Sequence, residues 1–599
     1  MPVPSGPRAE QGRTARVELS GSDIQLDHDV VVTFTLAAEK KTVALVAEDE
    51  QGDAVVMLDV RAPRDMPRVP VEVVFLLDCS GSMTGSSIES ARNALLLCLR
   101  SLDDGDVFNI YRFGTTYKRL FKHSRPFTQE SLDDATQAVK ELDADLCGTE
   151  LAAPLQEILG GQRGKFGKRG KLPLRVLLLT DGEVGNEAEL IEMARRQAKG
   201  AVVFTIGIGY GASDYLVNGL ARATGGRAEF VHPNERLEPQ VMRQMSRLAL
   251  GDVGACEVDW GGLEPNLVAP AELPPLYPGA PLTVYGRMPK ESVKKLAEGG
   301  SVVELALIGH GADGERRLKA SLDLGAPDAD LTIPRMLARE AIRDLEEQLK
   351  AETRGSAQTE RRAKKVDEAV VALSKRYGVM SSQTSLVAVE ERNEEERAKA
   401  GKVELWRVPV ALLKDWHGTS STRSASMFFA SAPAPAAGAS EMGFLASARS
   451  RPRAAAEMMP LASMPCKSLL TDSADHSFET VSRESASGPD PLTALVVEQR
   501  ADGSWSSGEA LHEAAGLGSH ELRAATSELG LGGDDGYAVV ATLAALWLLR
   551  NEHADRAGEW SLVASKAERW LEKKAVAAPA GHDSLDVWIG EVIARARDK

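Results

Sequence analysis

VEVVFLLDCSGSMTGSSIESARN, residues 71–93, runs an uninterrupted apolar stretch into a turn that holds one carboxylate and several hydroxyls. Val71, Val73, Val74, Phe75, Leu76 and Leu77 show no polar alternation, which predicts a strand buried on both faces of a mostly parallel sheet. Asp78 then falls at the C-terminal end of that strand, where open α/β sheets place their ligand crevice. Ser80 and Ser82 follow at i+2 and i+4, so three oxygen side chains can converge from one loop, a donor set suited to Mg²⁺, Mn²⁺ or Ca²⁺. The same letters also suit an ordinary capped strand–turn–helix junction, since Asp, Ser and Gly are common turn and N-cap residues.

Two later segments favour the first reading. Residues 144–151, ADLCGTEL, put the hydroxyl of Thr149 at the mouth of a second loop, just before an apolar helical stretch. Residues 174–181, LRVLLLTD, form a second apolar strand that also ends in Asp, followed by Gly182 and Glu183. In this order Asp78-Cys79-Ser80-Gly81-Ser82, Thr149 and Asp181 resemble the metal-ion-dependent adhesion site of von Willebrand factor A domains. FLLDCSGSM, FNIYRFG, ADLCGTEL and LLLTDGEV are similar to a narrower vault/inter-alpha-trypsin (VIT–VWA) group. That group includes the inter-alpha-trypsin inhibitor heavy chains and the vault-associated poly(ADP-ribose) polymerase. The core resemblance covers about residues 71–250, with weaker similarity through most of the chain.

The resemblance implies one divalent cation, most simply Mg²⁺ with Mn²⁺ or Ca²⁺ as alternatives. Asp78, Ser80, Ser82, Thr149 and Asp181 are its expected ligands, Thr149 or Asp181 acting directly or through water. It also implies a VIT domain ahead of the A domain. The residues before 71 leave no room for a whole one, so either the chain lacks that domain or its true start lies further upstream. No polymerase signature is present, and that activity is not carried over.

Composition sets outer bounds. The 599 residues allow three or four domains, and 43% hydrophobic residues supply ordinary globular cores. Cys79, Cys98, Cys147, Cys256 and Cys466 are few, odd in number and without a CxxC pair. This pattern argues against both a disulfide framework and a zinc site, and it fits a reducing compartment, so a cytoplasmic location is expected. A net charge of −16 disfavours nucleic acid as a general partner. The N-terminal residues have no apolar core that reads as a signal peptide, and the longest apolar run, residues 537–549, is too short to span a bilayer.

In chain order, residues 1–16 read as disordered. Residues 17–66 contain β-branched runs, VVVTFTLA, TVALVAEDE and AVVMLDVRAP, that read as antiparallel strands. Residues 71–250 alternate strand and helix, which predicts a doubly wound, Rossmann-like α/β domain. Inside it, residues 160–175 carry six basic residues but no phosphate-loop frame, and read as a solvated connection. Residues 252–325 return to β texture and are expected to join the strands of 17–66 in one sandwich, into which the A domain is inserted. Residues 331–390 read as helices and a closing strand, with Met336, Leu337, Ile342 and Leu345 on one inner face. Residues 391–417 are a charged segment and a candidate strand, and residues 418–488 a flexible linker rich in Ala, Ser and Pro.

Residues 489–599 read as a helical C-terminal domain holding five of the eight tryptophans, Trp505, Trp547, Trp560, Trp570 and Trp588, as core. It is expected to fold independently and to serve as a docking module for a large assembly or self-association, tethered by the flexible linker so that two weak contacts reinforce each other; the alternative is a body that packs back on the A domain.

Two function classes follow. In the first the chain is a non-enzymatic, metal-dependent protein-binding scaffold that grips an Asp or Glu of a partner. In the second it is a hydrolase using the same ion as Lewis acid, which also needs a general base. The three loops contain no His, and Glu183 is the one candidate base, so binding is the expected function.

Overall fold

The computed structural model describes residues 42–384 and 490–597, apart from 63–67, 161–171, 183, 199, 210, 233–234, 250–253, 298–301, 312–313, 326–330, 352–356 and 580. The first two strands, β1 (Val43–Glu48) and β2 (Ala54–Arg61), form a hairpin ahead of the α/β domain. The domain itself runs β3 (Glu72–Asp78), α1 (Ser86–Ser101), β4 (Val107–Phe113), β5 (Tyr117–Arg119), β6 (Arg125–Pro126), α2 (Gln129–Lys140), α3 (Ala152–Gly160), β7 (Leu174–Thr180), α4 (Glu187–Gln197), β8 (Val202–Ile208), α5 (Asp214–Thr224), β9 (Ala228–Val231) and α6 (Glu238–Ala249).

Its sheet has the order β5-β4-β3-β7-β8-β9, with β6 also paired to β4. β3, β4, β7, β8 and β9 are parallel, and β5 and β6 are antiparallel to β4. The apolar runs read from the sequence are the central strands. Val73, Phe75 and Leu77 of β3 face one core with α1, α2 and α6, while Val74 and Leu76 face the opposite core with α3, α4 and α5. A strand covered by helices on both faces has no solvent side on which to place polar residues.

The chain then continues through β10 (Ala255–Asp259), β11 (Leu267–Ala269), β12 (Pro281–Met288), α7 (Lys290–Ala297), β13 (Val302–Gly311) and β14 (Gly314–Asp323). β2 pairs antiparallel with β12 along its whole length, from Ala54 opposite Met288 to Arg61 opposite Pro281. A four-stranded sheet β1-β2-β12-β11 therefore contains strands from both sides of the α/β domain. The second sheet, β10-β13-β14, packs on it through Val56, Leu58, Val60 and Val284 against Leu305, Leu307 and Leu322. Residues 17–41, including VVVTFTLA, lie outside the described residues.

Helix α7 was not expected within 252–325. Pro289 fixes its entry, where Ser292 and Val293 donate to the Pro289 carbonyl, and Val293 packs on the sandwich core. Helices α8 (Thr332–Ala351) and α9 (Ala357–Tyr377) cover the other face of the four-stranded sheet, with Leu337 and Ala341 against Val55 and Tyr285. Met336 departs from expectation: it is 46% exposed, because the buried stripe of α8 runs through Ile333, Leu337 and Ala341. The expected closing strand (385–390), charged segment (391–417) and linker (418–488) lie outside the described residues, as do residues 1–16 and most of the basic stretch at 161–171. Arg175, which was read into that solvated loop, is buried within β7.

Residues 490–597 fold into α10 (Pro491–Val497), α11 (Glu509–Ala515), α12 (Ser519–Glu528), α13 (Gly533–Asn551), α14 (Ala557–Lys574) and α15 (Leu585–Arg597). The wholly apolar helix α13 is central. Trp505 and Trp588 are fully buried, their indole N–H groups donating to the Leu495 carbonyl at 2.8 Å and Glu528 Oε2 at 3.0 Å. Trp560 and Trp570 are buried too, and Trp547 is half-buried.

The structure departs from the expected tethered module and has the alternative, because the apolar faces of these helices are covered by the A domain: α14 packs on α1 and α6, α10 packs on α1, and one continuous apolar core runs through both regions. Polar contacts seal this seam. Arg100 donates to the Val497 carbonyl at 2.6 and 2.9 Å, and Arg236 pairs with Glu559 at 2.9 Å. Lys566, only 3% exposed, donates to the carbonyls of Arg100 at 2.7 Å and Leu102 at 3.0 Å, capping the C-terminal end of α1.

Burial pushes the Lys566 ammonium down to about 7, with nearby Arg100 and Arg68 adding to the effect and Asp103 opposing it. Above that value the folded state holds fewer protons here than the unfolded chain, so this site makes stability rise with pH up to the ordinary lysine range. Wild type is therefore expected to gain on the order of 2 kcal/mol relative to Lys566→Met between pH 7 and pH 9. Urea denaturation of both proteins at the two pH values checks this, and a constant difference between them would contradict it.

Candidate functional site

The C-terminal ends of β3 and β7 and the loop before α3 meet at one point. β3 and β7 run in parallel with Leu77 opposite Leu179, which brings Asp78 level with Thr180. Asp78 is fully buried. Its Oδ1 accepts the Ser80 amide at 2.9 Å, and its Oδ2 accepts the Thr180 hydroxyl at 2.7 Å. Ser80 is buried and Ser82 exposed, their hydroxyl oxygens 3.0 Å apart, and the Ser82 hydroxyl donates to Asp181 Oδ1 at 2.8 Å. Four of the five sequence-derived residues are thus joined through hydrogen bonds that begin and end on a carboxylate.

Thr149 completes the group through the second loop. Leu146 N donates to the Cys79 carbonyl and Gly81 N to the Cys147 carbonyl, which ties this loop to the β3 turn. Thr115 N donates to the Leu146 carbonyl and Glu150 N to the Gly114 carbonyl, tying it to the end of β4. Gly114 permits the approach, since a Cβ there would lie 2.5 Å from the Leu146 carbonyl oxygen. Cys147 adopts φ of +64°, a conformation costly for a residue with a Cβ and common at functional loops. The loop brings Thr149 against Gly182: a Cβ at Gly182 would sit 3.4 Å from Thr149 Oγ1 and 3.9 Å from Asp78 Oδ2.

The electrostatics are those of an acidic site without an internal counter-ion. Burial pushes the Asp181 carboxyl up to about 6, its hydrogen bond from Ser82 opposing this and the Asp78 charge adding to it. Burial likewise raises Asp78, against the lowering effect of its bonds to Ser80 and Thr180. Among the described residues neither carboxylate has a Lys or Arg at ion-pair distance, and no cluster of three or more His, Cys, Asp or Glu side chains stands ready for a metal. The donor set is instead two carboxylates and three hydroxyls, which are hard oxygen donors. Glu183, the candidate base, lies outside the described residues.

Sequence reading missed Thr180. Its hydroxyl follows six residues of an otherwise buried strand, and only the side-by-side register of β3 and β7 turns it into a partner of Asp78. Gly114 and Thr115 were missed for the same reason, as supports from a neighbouring strand.

Residues 71–230 match the family model of the von Willebrand factor type A domain. Over 531 residues the chain is 30% identical to von Willebrand factor A domain-containing protein 5A of Rattus norvegicus, covering 84% of this chain and 60% of that protein. It is also 30% identical to the Homo sapiens protein of that name, covering 86% of this chain and 62% of that one. A von Willebrand factor A domain-containing protein of Dictyostelium discoideum is 31% identical over 381 residues, 62% of this chain and 38% of the relative. The chain therefore spans less than two thirds of the length of these curated relatives.

Among solved structures, a von Willebrand factor type A protein from Catenulispora acidiphila aligns at 17% identity and a TM-score of 0.33, covering 57% of this chain and 84% of that one. Proximal thread matrix protein 1 from the mussel byssus, with a zinc-occupied MIDAS motif, aligns at 17% identity and a TM-score of 0.26, covering 32% and 48%. No helix among the described residues is long and apolar enough to cross a membrane. With the sheet order and the motif at the ends of β3 and β7, the family-model match and the curated relatives identify residues 71–230 as a von Willebrand factor type A domain.

Proposed function

We propose that this chain is a non-enzymatic protein-binding scaffold whose A domain grips an Asp or Glu of a protein partner through a divalent cation. The observation that carries this reading is the pair of fully buried Asp78 and half-buried Asp181, each feeling the other's charge, with no side-chain cation at ion-pair distance among the described residues and three hydroxyls beside them. An uncompensated buried carboxylate is costly, and a cation among these oxygens offsets that cost. Asp78, Ser80, Ser82, Thr149 and Asp181 would hold it, and their oxygen chemistry fits Mg²⁺ most simply, with Mn²⁺ or Ca²⁺ as alternatives. When bound, the cation supplies an electron-poor position for a partner's carboxylate, since three of its five protein donors are neutral.

The chain's own residues prepare the site. Thr180 and the Ser80 amide fix Asp78, and the Ser82 hydroxyl links Ser80 to Asp181. The Cys147 turn and Gly114 hold the Thr149 loop, and Gly182 leaves the space beside Thr149 open. Binding is favoured over hydrolysis because the three loops supply no His as general base. The motif wording FLLDCSGSM and LLLTDGEV supports placing the chain with the VIT–VWA group, and the sparse cysteines support a cytoplasmic location. Within that reading, the faces of the C-terminal helices turned away from α1 and α6 would make a second contact, to a large assembly or another copy.

Mg²⁺ is expected to raise the melting temperature of wild type, a ligand at a hundred times its Kd adding about 2.7 kcal/mol, and Asp78→Ala should abolish that response. A mutant that responds to Mg²⁺ as wild type does would refute the assignment. Capture of a protein partner should be lost in chelator, and a partner retained equally well without free cation would count against the gripping role. Thr180→Val removes the donor to buried Asp78 Oδ2 and should cost about 1–3 kcal/mol in urea denaturation; an unchanged midpoint would show that Asp78 does not depend on it.

A further inference from the structure

Where β9, the last strand of the A-domain sheet, meets the sandwich and α8, a cleft of about 940 Å³ opens. It lies three strands from β3. Its volume falls within the roughly 300–1,000 Å³ of small-molecule sites, which favour the junctions between domains. One wall is apolar, built from Leu273, Pro274 and Pro275, with Glu272 beside them, and five arginines reach the cleft from five different segments: Arg195 of α4, Arg222 of α5, Arg227 just before β9, Arg343 of α8 and Arg362 of α9.

These guanidiniums are not equivalent. Arg195 bonds Glu192 at 3.1 Å, Arg222 bonds Glu347 at 2.5 Å, and Arg343 bonds Glu340 at 2.8 Å. Asp344, which also lines the cleft, accepts the Ala271 amide at 2.7 Å. Glu229, on the strand that Arg227 precedes, is taken by Arg243 and Arg247, each at 2.6 Å. Arg227 is left, among the described residues, with no carboxylate at ion-pair distance. Its Nη2 reaches only the Pro281 carbonyl at 3.4 Å, and its buried Nε has no hydrogen-bond partner. Burial and the charges of Arg247 and Arg222 both act to lower its pKa. A half-buried guanidinium with its Nε withdrawn from solvent and no carboxylate at ion-pair distance among the described residues carries a cost that the fold offsets only in part.

We propose that this cleft binds a small organic anion whose phosphate or carboxylate group pairs with Arg227 while its apolar body lies against Leu273, Pro274 and Pro275. The planar guanidinium fork presents its donors in the geometry that both groups accept. The buried Nε of Arg343, also without a hydrogen-bond partner among the described residues, offers a second donor in the same cleft. This site is separate from the cation site and does not depend on it.

Phenyl phosphate and benzoate, titrated calorimetrically into the full-length protein in low-salt buffer, test the proposal. At least one is expected to bind saturably at a single site, and the tighter of the two identifies the head group. Arg227→Met should weaken that binding at least tenfold, while Arg243→Met, whose guanidinium bonds Glu229 and does not line the cleft, should leave it unchanged. Arg227→Met should melt no lower than wild type in anion-free buffer, because it removes a half-buried charge that has no carboxylate at ion-pair distance among the described residues. Leu273→Asp, which leaves Arg227 in place and puts a negative charge on the apolar wall, should weaken binding as well. The proposal is overturned if neither compound binds at millimolar concentration, if Arg227→Met and Leu273→Asp both bind as wild type does, or if Arg227→Met melts lower without anion.

Discussion

A fully buried carboxylate at the end of the central strand organises the functional end of this protein. Asp78 has no water to solvate it, so each of its oxygens must be met by a donor, and the donors come from its own loop, Ser80, and from the neighbouring strand, Thr180. This makes the register of β3 against β7 a functional constraint as well as a structural one. A shift of one residue would move Thr180 to the opposite face of the sheet and leave Asp78 Oδ2 unmet. The two apolar cores above and below β3 hold that register, and the Thr149 loop, bonded to the ends of both β3 and β4, depends on it in turn.

Buried charge is handled in three ways across the molecule. At the seam between α1 and the C-terminal helices, Lys566 is satisfied by carbonyls at a helix end, so the charge is spent inside the fold. Near the β1–β2 turn, buried Asp49 accepts the Tyr377 hydroxyl at 3.0 Å and pairs with Arg376, an internal ion pair that fastens α9 to the first hairpin. At the motif and at Arg227 no opposite charge lies at ion-pair distance among the described residues. The same solvation argument that explains the first two as structure reads the last two as places for something to bind.

Much of the site was legible before the fold. Six apolar residues followed by Asp78-Cys79-Ser80-Gly81-Ser82 carry strand, strand end and donor spacing in consecutive letters, and LLLTD carries a second strand end. What these letters lack is the neighbour. Thr180 reads as the polar tail of an apolar strand, and Gly114 as an ordinary turn glycine until Leu146 is found against it. Helix α7 hid within β-like text because its eight residues are too few to show a helical period against the strands on either side. Met336 was assigned inward because an apolar residue on an amphipathic helix marks a broad stripe, and its edge is decided by what the helix rests on.

The sequence by itself determined the α/β alternation, the central strands, the loops that end in oxygen donors and the apolar character of the C-terminal helices, since each depends on residues close together in the chain. Only the tertiary structure decided that those helices lie on α1 and α6, that β2 pairs with β12 across the inserted domain, and that Arg227 stands in a cleft with no carboxylate at ion-pair distance among the described residues. An apolar face records that it must be covered but not by which partner, and an arginine in sequence is solvated by default. Its cost appears only when segments far apart in the chain close around it and leave no carboxylate at ion-pair distance.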